Sequence, residues 1–135
     1  MEEASQLKRF KSPYIVRYFD SFFRMVDGEN TFVLVTEHCN LGDLQKVLST
    51  HAGKEDNLKL YLRITKCILK GLKEMHSKHK FHRDLKPLNI FVSGDLARPK
   101  SVTAKLGDFG LVKDLEHSWV TSMSLKGSLN YFSPE

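Results

Sequence analysis

Phe81-His82-Arg83-Asp84-Leu85-Lys86-Pro87-Leu88-Asn89 is the stretch on which the reading of this chain turns. It holds one acid, Asp84, between two bases, Arg83 and Lys86, with Asn89 five residues beyond the acid. A positioned aspartate can orient a hydroxyl and take its proton. An asparagine amide oxygen is a neutral, hard ligand for a divalent cation. Two further strings follow in order, Asp108-Phe109-Gly110 and Ser133-Pro134-Glu135. Any one of them is a weak signal; three in this order do not arise easily by chance.

Working outward, the segment upstream predicts the clearest helix. Tyr61, Ile64, Ile68, Leu72 and Met75 recur at steps of three or four and form one apolar stripe. Asp56 is a candidate cap, and the cations of residues 76–80 suit the C-terminal end of the helix dipole. The stripe is expected to pack beneath the 81–89 stretch. Downstream, residues 89–92 and 103–106 are short apolar runs that predict a hairpin with a long turn through Gly94, Arg98 and Pro99. That hairpin would carry Asn89 at one end and Asp108 just past the other, so two oxygen ligands distant in sequence would meet in space. Residues 111–130 are polar and hydroxyl-rich, as expected of a mobile loop.

The N-terminal third predicts a helix end over residues 2–10, with Ala4, Leu7 and Phe10 on one side. Ser12-Pro13 stops it, because proline biases its predecessor away from helix. Residues 14–23 predict a strand, Asp27-Gly28 a turn, and residues 31–36 a second, buried strand. Residues 37–42 form a connector, and residues 41–49 predict a short helix.

At 135 residues, with 27% charged, the chain is one domain of ordinary soluble composition. Its apolar runs are far too short to cross a bilayer, and Met-Glu-Glu-Ala-Ser is no signal peptide. Cys39 and Cys67 lack metal-ligand spacing and are expected to be free thiols in a cytoplasmic protein, with a nuclear location left open. The net charge of +5 raises nucleic acid as a partner. However, Lys66, Lys70, Lys73, Lys78 and Lys80 have no aromatic interleaving and predict a solvated helix face, so neither DNA, RNA nor membrane is expected.

With these motifs, the chain resembles the eukaryotic protein kinase family along its whole length. Leu85-Lys86-Pro87-Leu88-Asn89 after His-Arg-Asp resembles the serine/threonine branch. Val16-Arg17-Tyr18-Phe19-Asp20-Ser21-Phe22-Phe23 and Thr36-Glu37-His38-Cys39-Asn40-Leu41-Gly42-Asp43-Leu44 look like the NIMA-related kinases. The segments around Ile90 to Asp95 and Lys105 to Val112 are also similar to kinases that phosphorylate a translation initiation factor.

The resemblance implies an α+β, incomplete protein-kinase-like bilobal fold: residues 1–36 as N-lobe helix and strands, 37–42 as hinge, and 43–135 as C-lobe with catalytic loop and activation segment. It implies ATP and Mg2+ as cofactors, a protein substrate, and a second kinase chain as a dimer partner. Asp84 would be the catalytic base, Lys86 would neutralise charge on the transferring phosphate, and Asn89 and Asp108 would hold Mg2+. Glu37 and Cys39 would offer backbone groups to adenine, beside Thr36 at the back of its pocket. Phe91 would lie under the ring, or simply belong to the core. Glu3 matches the helix glutamate that pairs with a strand lysine, or is an exposed terminal acid. Leu7, Tyr18, His82 and Phe109 match an apolar stack linking the lobes; His82 is expected to be packed and hydrogen-bonded. Asp95 is expected to be a surface turn acid. Ser118, Thr121, Ser122, Ser124 and Ser128 are hydroxyls of the loop, Ser124 standing where a regulatory phosphate would pair with Arg83. Ser128 and Ser133-Pro134-Glu135 depart mildly from the family's threonine and Ala-Pro-Glu.

No Gly-rich loop and no Val-Ala-Ile-Lys lysine precede Glu3, and the substrate-binding helices would begin after Glu135. The 135 residues alone are therefore expected to be marginally stable and inactive or nearly so, with open sheet edges and a partly exposed helix stripe. Two functions follow: a serine/threonine kinase passing the ATP γ-phosphoryl group to protein hydroxyls, or a truncated pseudokinase acting as a protein-binding module. A third class, nucleic-acid binding, rests on charge alone.

Overall fold

The computed structural model describes residues 2–51, 58–110, 113–114 and 131. Asp56, the loop hydroxyls from Ser118 to Ser128, and Ser133-Pro134-Glu135 lie outside the described residues, as does the side chain of Glu3. In chain order come helix α1 (Glu2–Leu7), strands β1 (Tyr18–Val26) and β2 (Glu29–Thr36), helices α2 (Leu44–His51) and α3 (Leu58–Ser77), and strands β3 (Lys80–Phe81), β4 (Ile90–Ser93), β5 (Thr103–Leu106) and β6 (Lys113–Asp114). The strands pair as three antiparallel ribbons, β1-β2, β3-β6 and β4-β5.

The predicted turn at Asp27-Gly28 closes β1 on β2 with Val26 opposite Glu29. Both turn residues have positive φ, +50° and +83°, as a two-residue hairpin loop requires. Two strand expectations are corrected. Residues 14–16 do not continue into β1; they lie along β5 instead. Leu106 N–H donates to the Tyr14 carbonyl (2.9 Å) and Val16 N–H to the Leu106 carbonyl (2.8 Å). Ile15 and Val16 are buried there, whereas Phe19, Phe22, Phe23, Met25 and Val26 of β1 are exposed. A β-branched run specifies extended backbone but not its partner. Nor is β2 a buried strand: residues 29–31 are exposed and residues 32–36 only half-buried, since β1 is its only pairing partner among the described residues.

Helix α3 buries Leu60, Ile64, Cys67, Gly71 and Met75 against β5 and β3. The predicted stripe is close but rotated: Tyr61, Ile68 and Leu72 are its half-buried flank. Gly71 explains the rotation. A Cβ there would stand 2.8 Å from the Tyr14 carbonyl and 3.0 Å from Leu106 Cδ1, so only glycine lets the helix approach this closely. Each large side chain fully buried along this line is worth ~1.5–3 kcal/mol. Leu58, Leu62 and Leu69 on the outer face are exposed, as is the outer surface of β1.

The expected solvated face of lysines holds for Lys66, Lys70, Lys73 and Lys78. Two of these also tie the helix to the N-terminal segment: Lys70 Nζ donates to Tyr14 Oη (3.0 Å) and Lys78 Nζ to the Arg9 carbonyl (2.9 Å). Lys80 is corrected; it is 3% exposed, because His79 (φ +55°) ends the helix and turns the chain inward into β3. No helix among the described residues is long and apolar enough to cross a membrane. Cys39 and Cys67 are buried free thiols.

Candidate active site

The β4-β5 hairpin forms as the apolar runs predict, with Ile90 opposite Leu106 and Ser93 opposite Thr103. Its long turn is held by Asp95, which accepts from Ala97 N–H (2.9 Å) and from Arg98 Nε (2.9 Å). The Arg98 guanidinium, with the Ala97 N–H, keeps the Asp95 carboxyl below the usual carboxylate range. Asp95 is thus the surface turn acid that the pattern suggests.

At the other end of the hairpin the chain enters and leaves the site. Gly107 N–H donates to the Asn89 carbonyl (2.9 Å), so Asp108 begins one residue beyond a bond to Asn89. The Asn89 side chain is buried and gives its amide hydrogens to the Asp84 carbonyl and to Asp84 Oδ2, both at 2.9 Å. Lys86 Nζ lies 2.8 Å from the same Oδ2. One carboxylate oxygen therefore takes a neutral and a charged donor, which fixes the Asp84 side chain. Five residues of sequence become one cluster because residues 87–89 wind into a 3-10 turn that begins at Pro87 and brings Asn89 back to Asp84.

Two left-handed residues flank this cluster, Arg83 at φ +66° and Asp108 at φ +56°. Such backbone in a non-glycine residue costs ~1–3 kcal/mol and is held only where surroundings over-determine it. At Asp108 the surroundings are Phe109, fully buried between His82 (ring centroids 5.5 Å) and Phe10 (5.6 Å). His82 Nε2 donates to the Gly107 carbonyl at 2.9 Å, which places the other ring nitrogen, Nδ1, in the core without a partner. Burial therefore lowers the His82 pKa below 6.5. The expected stack of Leu7, His82 and Phe109 is buried, with Tyr18 half-buried at its edge. Phe10 also belongs to it; the only trace of this in sequence is its place on the Ala4, Leu7, Phe10 stripe.

Glu37 and Cys39 sit at the start of the connector. The Glu37 N–H is spent on the Arg17 carbonyl (2.9 Å), and the Cys39 carbonyl accepts from Gly42 N–H (3.0 Å). Among the described residues the Glu37 carbonyl and the Cys39 N–H, an acceptor and a donor two residues apart, take part in no backbone hydrogen bond. The Glu37 carboxylate is bound by Lys105 Nζ (2.8 and 2.9 Å) and by Arg17 N–H (2.7 Å). Lys105 was not legible as a site residue, since nothing in its surrounding sequence names a partner 68 residues away. Phe91 is half-buried, and its ring packs on Gly107: a Cβ at Gly107 would be 2.6 Å from it. Asp43 also escaped the pattern; it caps α2 by accepting from Lys46 N–H (2.8 Å).

The donor set fits a hard cation. Asn89 Oδ1 and the exposed Asp108 carboxylate could serve as oxygen ligands, and the amide of Asn89 is already oriented by Asp84. Mg2+ commonly takes one or two protein oxygens and completes its shell with water and phosphate. The described residues hold no cluster of three or more His, Cys, Asp or Glu that would bind a metal without such help.

Comparison with known proteins places the whole chain in one family. The family model of the protein kinase domain matches residues 1–135. Human serine/threonine-protein kinase Nek2 is 35% identical over 143 aligned residues, covering 100% of this chain and 30% of the relative. Human serine/threonine-protein kinase ULK1 is 38% identical over 140 residues, covering 99% of this chain and 12% of the relative. Human serine/threonine-protein kinase Nek5 is 34% identical over 138 residues, covering 99% and 18%. The chain thus spans about a third or less of the length of these relatives.

Proposed function

Because this chain belongs to the protein kinase family, we propose that the protein transfers the γ-phosphoryl group of ATP to serine or threonine hydroxyls of another protein. The observation that carries the reading is the Asp84 carboxylate, fixed at one oxygen by Lys86 (2.8 Å) and Asn89 (2.9 Å). A carboxylate held in this way can orient an incoming hydroxyl and take its proton as the oxygen attacks phosphorus. The bond from phosphorus to the ADP oxygen breaks as the new ester bond forms. Lys86, beside the base, offsets negative charge gathering on the phosphoryl oxygens. Asn89 and Asp108 would hold Mg2+, which supplies charge neutralisation of the ATP phosphates.

The connector supports the nucleotide part of the reading. A base edge with a donor amine beside an acceptor ring nitrogen complements the Glu37 carbonyl and the Cys39 N–H. Phe91, resting on Gly107, offers an apolar surface for the ring. Glu3 keeps its role as partner of a strand lysine by resemblance alone.

The test uses the full-length protein with Mg2+-ATP and a generic basic acceptor protein. Asp84→Asn is expected to lower phosphate transfer ~10²–10⁴-fold, the usual worth of a general base, while leaving nucleotide affinity nearly unchanged. Transfer that is indifferent to Asp84→Asn would overturn the assignment. A folded protein that binds a partner kinase but shows no transfer would favour the pseudokinase instead.

A further inference from the structure

We propose that Asn40 is a positioning residue for the nucleotide, its side-chain amide clamping the connector to the β4-β5 turn and so setting the slot between Cys39 and Phe91. The proposal rests on the kinase reading above and adds a residue that touches neither ATP nor the transferring phosphate.

The connector runs beside β4 as a short third strand. Leu41 N–H donates to the Val92 carbonyl (3.0 Å), Val92 N–H to the Gly42 carbonyl (2.8 Å), and Asp43 pairs with Phe91. Backbone pairing stops at Leu41, and Asn40 continues it with its side chain. Nδ2 donates to the Gly94 carbonyl (3.0 Å), and Oδ1 accepts from the Gly94 N–H (2.9 Å). One donor and one acceptor meet one acceptor and one donor, as in a strand ladder. A primary amide carries an N–H donor and a carbonyl acceptor side by side on one planar group, the same pair a backbone residue offers. Aspartate has no donor and would set an anionic oxygen against the Gly94 carbonyl.

The partner does not yield easily. Gly94 has φ +122°, and a Cβ there would lie 2.7 Å from the Ser101 carbonyl. The turn behind it is braced by Ser101 Oγ, which donates to the Arg98 carbonyl (2.9 Å), and by the Asp95–Arg98 pair. Gly94 is therefore the fixed jaw and the connector the one held. Asn40 directly follows Cys39, whose N–H is one of the two groups proposed to meet adenine, and Phe91 lies on the strand the clamp ties down. Loosening the clamp frees the end of the connector nearest Cys39 and widens its spacing from Phe91. Chemistry at Asp84 is untouched, because Asn40 has no bond to the catalytic loop among the described residues.

The experiment measures ATP affinity of the full-length protein, by displacement of a fluorescent nucleotide, together with steady-state kinetics. Asn40→Ala is expected to raise the Kd and KM for ATP about three- to tenfold, the worth of a solvent-exposed hydrogen-bond pair. Asn40→Asp should raise them further, and Asn40→Gln should recover part of the loss. The kcat and the KM for the acceptor protein should stay within twofold. A merely structural role predicts the opposite split, with apparent kcat falling as less protein is folded and the ATP KM unmoved; that result would overturn the proposal. Wild-type protein that binds and uses ATP with all three variants unchanged would sink the clamp alone. Wild-type protein that binds no nucleotide would remove the kinase reading and the clamp together.

Discussion

Asn89→Ala is the substitution from which most can be learned. It removes two hydrogen bonds at once, to the Asp84 carbonyl and to Asp84 Oδ2, from a residue only 4% exposed. A neutral hydrogen bond contributes ~0.5–1.5 kcal/mol and one to a charged group ~1.5–3 kcal/mol, so the variant should lose about 2–4 kcal/mol of stability. Part of that loss is shared with Asp84, which keeps Lys86 as its partner. Urea unfolding of Asn89→Ala, Asp84→Ala and the double variant separates the shared part. With a slope of ~1–3 kcal/mol per molar urea, the single loss moves the midpoint by about 1 M or more. The cycle should return a coupling of about 1–3 kcal/mol. Activity should fall with stability held in excess, because the same side chain orients the base. A coupling within error of zero would mean that the two side chains do not bond, and the account of how Asp84 is held would be wrong.

Three further outcomes are expected. Gly71→Ala should cost ~1–3 kcal/mol by overpacking, read from the unfolding midpoint, since its Cβ would meet the Tyr14 carbonyl at 2.8 Å. Lys105→Met leaves the half-buried Glu37 carboxylate with Arg17 N–H as its remaining donor among the described residues and should cost about 1–3 kcal/mol; Glu37→Gln in the same chain should return much of it, which thermal melting can check. His82 adds an acid-side pH dependence. Burial lowers its pKa, so below pH 6.5 the unfolded chain takes up a proton that folded His82 refuses. Its contribution is fully present above 6.5 and is lost as pH falls from there toward the lowered folded value, at up to about 1.4 kcal/mol per pH unit. His82→Tyr should flatten that arm of the melting-temperature profile relative to wild type.

Much of this was legible because local chemistry decides it. Asp27-Gly28 specifies its hairpin by the positive φ both residues accept. The periodic apolar residues of α3 specify a helix, though not the rotation that Gly71 permits. The two runs that become β4 and β5 read as a hairpin because they are short, apolar and separated by turn residues, and from that alone Asn89 and Asp108 fall at one end of it. The strand reading of residues 14–23 failed where composition is silent, on which neighbour receives the hydrogen bonds.

From the sequence alone, Asp84, Lys86, Asn89 and Asp108 stand out as groups able to do chemistry, because they lie in motifs whose order admits few other readings. What holds them in place is visible only in the folded chain. Asn89 bonds to Asp84 because a 3-10 turn folds it back; Glu37 meets Lys105, and Asn40 meets Gly94, across 68 and 54 residues of chain. Such partners have no signature in sequence, because a hydrogen bond depends on distance and direction between groups, and long-range distance exists only once the core has closed.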